Sequence, residues 1–489
     1  MAMNSPVNTV PRDLDPGAVP GAGLSLAELL GALSHALDLT EGQPEGHCKR
    51  ACWIATKVAM QMGLEGEALA DVYFTALLKD LGCSSNAARI CELYLADDIA
   101  FKRDFKTVDG SLGAALRFVL DKTGLQSGLA ERVRAILNIL RNGGQIAREL
   151  IETRCHRGAD IAAKMRFSPS VQEGIRWLDE HWDGSGKPEG RVGAEIPLAS
   201  RIALLAQVVD IFHNGRGRAA ARAEIVARRG GWFDPIVVDA FVAAERLPGF
   251  WEMIEGSDID GALFALPPAR LHASLDDDYI DDIAAAFADV IDAKSPFTAG
   301  HSRRVTLFTD LIAEEMGFDP AHRRWLRRAA LLHDIGKLAV SNQILDKPGK
   351  PAEDEWQSIR LHPAHSADIL RKVSVFRAFA EIAGAHHERL DGKGYPLGLA
   401  ESEIVAEVRM LSVADVFDAL TADRPYRKAM KVEEAFAILD RDTGAAFDAD
   451  CVAALKRAVA KLAPSDEADA PALLWAVEPA AESLEASAA

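Results

Sequence analysis

Apolar residues recur along this chain at the three-to-four spacing of a half-buried helix. In GHSRRVTLFTDLIAEEMG (300–317), Val305, Phe308, Ile312 and Met316 form one stripe, and His301 stands at its start. SLDDDYIDDIAAAFADVIDA (274–293) opens on a serine and an acidic cluster, which suits a helix N-terminus. Convincing runs of apolar and polar alternation, the mark of a half-buried strand, are absent. The pattern predicts an all-α protein.

The same pattern occurs twice. LLKDLGC (77–83) nearly reappears as LLHDIGK (331–337), and GHCKRA (46–51) as GHSRRV (300–305). His47 to Asp80 spans 33 residues, as does His301 to Asp334, so these motifs share an offset of 254. RGADIAAKM (157–165) matches HSADILRKV (365–373), and DGSGKPEG (183–190) matches DGKGYPLG (391–398), both at an offset of 208. GWFDPIVVDAF (231–241) also resembles AAFDADCVAAL (445–455). The first copy therefore holds about 46 extra residues between Cys83 and Arg154. Two tandem helical domains follow, at 24–247 and 276–463, joined by a linker at 248–275. Residues 1–23 are expected to be a flexible tail, and 464–489 an acidic, Ala-rich one containing ALLWAV.

Composition narrows the partners. The net charge of −18 argues against general nucleic-acid binding, which needs a basic surface, but leaves room for a small anion held by local cations. No apolar run approaches the ~20 residues of a membrane span. The N-terminus lacks the basic start and apolar core of a signal peptide. Six scattered cysteines without a C-x-x-C pair suit free thiols in a reducing cytoplasm, and Cys48 with Cys52 beside His47 reads as a buried thiol pair.

Seven of the thirteen histidines lie between His301 and His387. Adjacent pairs, His333-Asp334 and His386-His387, are the sharper signal. Imidazole offers a neutral nitrogen ligand, and a carboxylate has two oxygens able to bridge two cations. His301, His333, Asp334, His362, His386, His387 and Asp415 can together hold two divalent metals, which activate a water and stabilise charge on a phosphodiester. So few carboxylates suit iron, manganese, zinc or nickel better than magnesium. His322, beside a run of arginines, is expected on the surface, and His365 outside the ligand set.

LLHDIGK, LHPAH, AHHERLDGKGYPLGL and ADVFDALTADRPYR together resemble the HD-GYP subfamily of HD-domain phosphohydrolases, over 276–463. The resemblance implies an iron or manganese centre, and hydrolysis of cyclic di-GMP to the linear dinucleotide and in some members on to GMP. It makes His301, His333, Asp334 and Asp415 ligands of one metal. Asp334 bridges to a second held by His362, His386 and His387. It makes Lys337 the contact to the scissile phosphate, Gly394, Tyr395 and Pro396 the signature turn beside the site, and Arg424 and Arg427 substrate-binding. Members with a third metal carry a Glu where this chain has Phe297, so two metals are expected, with the linear dinucleotide as first product. The alternatives left open are another nucleotide or cyclic dinucleotide as substrate, or a non-catalytic nucleotide-binding scaffold. There is also room for a homodimer or a signalling partner protein.

Projected onto the first copy, His301 and Asp334 survive as His47 and Asp80. His333 becomes Lys79, His362 Arg154, His386 Leu178, His387 Asp179, Asp415 Gln207, Lys337 Cys83 and Tyr395 Lys187. Lysine and arginine in ligand positions repel a metal, and either has Asp80 as a partner within reach. The first copy is expected to be an HD-like fold without catalytic metals, serving regulation or dimerisation.

Overall fold

The computed structural model of the chain describes residues 26–108, 112–256, 258–266, 275–373, 376–425 and 427–462. The expected tails at 1–23 and 464–489 lie outside the described residues, as does part of 248–275. Among the described residues the regular elements are helices, and β pairing is confined to isolated bridges such as Asp391 with Ala400. The all-α expectation holds. No helix among them is long and apolar enough to cross a membrane.

Two compact units divide the chain. One runs to Ala286 and also takes in Ser341–Leu345; the other comprises Phe287–Val340 and continues from Asp346. The two copies of the repeat use the same helices in the same order. His47–Gln61 answers to His301–Glu315, Gly66–Leu78 to Pro320–Leu332, and Leu198–Arg216 to Ala406–Thr421. Each His-led helix starts on a left-handed glycine, Gly46 at φ 84° and Gly300 at φ 69°, a conformation that costs a side chain about 1–2 kcal/mol.

The helices are held by ordinary apolar burial. In the second copy Val305, Phe308, Ile312, Leu332, Phe379, Val413 and Phe417 are buried, each worth roughly 1.5–3 kcal/mol relative to exposure. Phe308 meets Phe417 edge to face at 5.0 Å, clamping the helix that starts at His301 to the one that carries Asp415.

The extra residues of the first copy form helices Ala87–Tyr94, Asp98–Phe105 and Leu112–Lys122, and extend Leu129–Lys164 to 36 residues. They have a small core of their own, from Ile90, Leu93, Tyr94, Phe101, Phe118, Ile139 and Ile146. The segment expected to be a linker carries two helices, Phe250–Glu255 and Ile259–Phe264, whose Phe250, Trp251, Ile254 and Leu263 are buried. The Trp53 indole donates to the Phe250 carbonyl at 3.2 Å, so this stretch belongs to the packing of the first unit.

Candidate metal centre

In the second copy six of the seven proposed ligands stand at helix ends. His301 and His362 open their helices; His333-Asp334 and His386-His387 directly follow theirs; Asp415 lies within Ala406–Thr421. Gly336 sets the closest approach: a Cβ there would collide with the His362 carbonyl, and its amide donates to the Ser366 hydroxyl at 2.9 Å. The H-D-x-G turn thereby reaches the start of the His362 helix.

The two oxygens of Asp334 face different histidines. Oδ2 lies 3.3 Å from Nε2 of both His301 and His333, whereas Oδ1 lies 3.2 Å from His362 and 3.7 Å from His386. Asp415 divides likewise, with Oδ1 3.3 Å from His301 and Oδ2 3.8 Å from His387. Lys337 forms an ion pair with Asp334.

Three histidines are locked in one tautomer by a device that recurs. Nδ1 of His333, His362 and His386 donates to the carbonyl three residues earlier, Ala330, Ile359 and Ala383, at 2.6–2.7 Å. Each ring therefore aims its Nε2 into the cluster. Nε2 of His362 and His386 stand 3.3 Å apart, two acceptors confronting each other. Nε2 of His301 and His333 and Oδ1 of Asp334 are buried without a hydrogen-bond partner. Such atoms are costly unless a cation completes them, and their nitrogen and carboxylate chemistry fits divalent transition metals.

The electrostatics divide the cluster between histidines held neutral and one whose carboxylate neighbours favour a positive charge at its place. Burial, and then the neighbouring imidazoles, push His386 well below the usual histidine range, and His387 falls to about 3. Burial lowers His301 too, but Asp334, Asp415 and Asp418 outweigh it and push it up to about 10. Burial alone would raise the Asp334 and Asp415 carboxyls; the histidines and, at Asp334, Lys337 hold both well below the carboxylate range.

Of the remaining predicted residues, Tyr395 sets its ring 4.8 Å from that of His387 at a tilt of 36°, with Trp356 and Arg360 beyond it. Gly394 is forced, because a Cβ would strike the Glu388 and Arg389 backbone. The loop after Pro396 is fixed by Glu388, whose carboxylate accepts the amides of Leu397, Gly398 and Leu399 at 2.7–3.1 Å. Arg424 and Arg427 exchange backbone hydrogen bonds in a tight turn, and the Arg427 guanidinium donates to the carbonyls of Ala419, Leu420 and Lys428. Much of its hydrogen-bonding capacity thus goes to a helix end. His322 is half-buried rather than fully exposed: it lies 2.9 Å from Glu407, between the rings of Phe318 and Trp325. Apolar neighbours and an acidic partner drew it inward. His365 stays outside the ligand cluster, and Phe297 lines a cavity of about 1150 Å³ with Arg304, Met430 and Phe436.

Sequence reasoning passed over Asp418 and Arg304. Asp418 accepts the Nδ1 proton of His301 at 2.6 Å and is gripped by the Arg304 guanidinium at 2.5 and 3.2 Å. The repeat held the signal, since both residues persist in the first copy as Asp210 and Arg50. There Asp210 binds His47 at 2.7 Å and Arg50 at 2.6 Å.

Beyond that shared support, the first copy fills its centre with cations. The Lys79 ammonium lies 3.0 Å from Nε2 of His47 and pairs with Asp80. Lys106, supplied by the inserted residues, binds Glu41 at 2.6 Å and lies 3.9 Å from Oδ1 of Asp80. Arg154 pairs with Asp179 and not with Asp80. Glu41, Asp80 and Cys83 converge closely enough to suggest a metal site, but lysines already neutralise both carboxylates.

A family model described as HD domain matches residues 126–237 and 285–451, spanning parts of both copies and more than half of the chain. The chain belongs to the HD domain family. Its second copy is of the HD-GYP type, and the first is a degenerate HD-like repeat. The protein is 52% identical over 434 residues to the 3′3′-cGAMP-specific phosphodiesterase 3 of Vibrio cholerae, covering 89% of this chain and 94% of that one. The cyclic di-GMP phosphodiesterase response regulator RpfG of Xanthomonas campestris is 40% identical over 177 residues, 36% of this chain and 47% of its own length. Among crystal structures, the cyclic GMP-AMP specific phosphodiesterase V-cGAP3 of V. cholerae matches with a TM-score of 0.63 and 46% identity, over 91% of this chain and 99% of that one.

Proposed function

We propose that this HD-domain protein is a metal-dependent phosphodiesterase that opens a cyclic dinucleotide, with the chemistry confined to the second copy. The observation that carries the reading is the divided carboxylate of Asp334, one oxygen toward His301 and His333 and the other toward His362 and His386. His301, His333, Asp334 and Asp415 would hold one divalent cation, and Asp334, His362, His386 and His387 a second, iron or manganese by family resemblance. Bound there, the cations supply Lewis acidity and an activated water for displacement at phosphorus.

The protein's own groups do the rest. The Nδ1 hydrogen bonds keep four Nε2 atoms turned inward without reorganisation during turnover. Lys337 sits beside Asp334, where its ammonium can meet a non-bridging phosphate oxygen. Tyr395, ring against His387, walls one side and presents an aromatic face to a base. A role for Arg424 in holding the dinucleotide fits its place in the turn; Arg427 serves that turn first.

The motifs alone suggested cyclic di-GMP. Identity of 52% across nearly the whole of a relative named for 3′3′-cGAMP favours the mixed dinucleotide as substrate. The first copy, in this reading, binds no catalytic metal, because Lys79 and Lys106 already supply its positive charge. Manganese- or iron-loaded protein, given 3′3′-cGAMP and cyclic di-GMP side by side, should linearise the former faster by chromatography of products. Failure to open either dinucleotide with metal bound would refute the reading.

A further inference from the structure

Ser341–Leu345 begins four residues after Lys337, yet this segment packs within the first compact unit. Asp98, buried in a helix of the inserted residues, anchors it. Oδ1 of Asp98 accepts the Asn342 amide at 2.9 Å and the Ser341 hydroxyl at 3.2 Å. Ser341 in turn accepts the Gln343 amide through its hydroxyl oxygen at 3.2 Å, closing the turn.

The other oxygen of Asp98 faces the cation cluster of the first copy. Oδ2 lies 3.7 Å from the Lys102 ammonium, which donates to the carbonyls of Thr40 and Cys83 at 3.2 and 2.9 Å. Lys102 is also 3.8 Å from Glu41, the partner of Lys106, and Lys106 faces Asp80. Alternating charges therefore run from the lysine-filled centre of the first copy to Ser341. From there the link is covalent and short. Lys337 lies in the 3₁₀ turn Ile335–Ala339, its carbonyl accepts the Val340 amide at 3.0 Å, and Ser341 is next in the chain. Three intervening residues, most of them in a hydrogen-bonded turn, leave little slack between the anchor and the lysine.

We propose that Asp98 is a positioning residue for Lys337, through which the metal-free first copy sets the rate of hydrolysis in the second. This rests on the reading of Lys337 as the phosphate contact. The energetic logic is that a small displacement of a charge-stabilising group lowers turnover without weakening substrate or metal binding.

The test is a double-mutant cycle in the full chain, with kcat, KM, metal content and melting temperature measured on 3′3′-cGAMP. Asp98→Ala should lower kcat roughly tenfold with KM and metal content unchanged, and by less than about twofold in a Lys337→Ala background. Asp98→Asn, which keeps an acceptor for the Asn342 amide, should recover most of the loss. Ser341→Ala removes one of the two bonds and should give a smaller kcat defect, which serves if Asp98→Ala does not fold. Equal losses in both backgrounds, a loss of metal, or unaltered kcat in Asp98→Ala and Ser341→Ala would overturn the proposal. If the wild-type protein opens no cyclic dinucleotide, the functional reading itself fails, an outcome distinct from these.

Discussion

Asp418 lies 2.6 Å from Nδ1 of His301, on the side of the ring away from Asp334. A carboxylate behind a ligating imidazole fixes its tautomer and raises its basicity. Asp418→Ala should therefore weaken metal binding by about 10- to 100-fold and lower turnover in step, with partial restoration by excess metal. The first copy supplies the control. Asp210→Ala removes the same bond from His47, and metal content measured by mass spectrometry should not change.

Asp334 makes the closest approach to both halves of the ligand cluster, one oxygen 3.3 Å from His301 and His333 and the other 3.2 Å from His362. Asp334→Ala should deplete bound metal and lower turnover by more than about a thousandfold, with helical content by circular dichroism nearly unchanged. The fold tolerates the loss because its core is the apolar set around Phe308 and Phe417, on other faces of these helices. Wild-type hydrolysis by this variant would sink the two-metal reading.

At the first copy the same position has a different task. Burial alone would raise the Asp80 carboxyl; Lys106, Lys79 and His47 outweigh it and hold it far below the usual range. A depressed carboxylate contributes stability that is complete above its unfolded value, about pH 4, and is lost as pH falls through the folded one. Lys79→Met leaves a buried charge short of a partner and should cost about 3–5 kcal/mol at pH 7. The cost should shrink in acid, where the variant's Asp80, relieved of Lys79, takes up a proton at higher pH than the wild-type carboxyl does. Chemical denaturation across pH 3–7 measures this, and a chelator should not alter the first copy's contribution to the transition.

Much of this architecture was legible because a helical repeat advertises itself at a fixed offset on either side of the insertion, 254 before it and 208 after. Histidines paired with Asp334 and with each other named the cluster, since adjacent ligand-type residues are unusual on apolar stripes. What stayed hidden depended on partners distant in sequence. Asp418 looked like any helical aspartate until the fold set it behind His301, 117 positions away. Lys106 and Asp98 lie in residues without a counterpart in the second copy, so the repeat could not assign them. His322 was misplaced because its neighbouring arginines suggested solvent, while Phe318, Trp325 and Glu407 decided otherwise. The helices at Phe250 and Ile259 were missed because short amphipathic turns carry too few residues to show a period.

Phe297 bears on the product. In HD-GYP proteins with a third metal, the resemblance places a Glu at this position, four residues before the first histidine; a phenyl ring has no lone pair to offer. Here the residue borders the same cavity as Arg304, whose guanidinium braces Asp418 behind His301. On the two-metal reading, with an aromatic wall in place of a third ligand, opening the ring and cleaving the linear product would be separate events. The first bond should break faster, so the linear dinucleotide should accumulate before any mononucleotide appears in a quenched time course. Phe297→Glu should raise metal content above two per chain and shorten the lifetime of that intermediate. Three tightly bound metals in the wild-type protein, or mononucleotides formed with no detectable linear species, would count against the assignment.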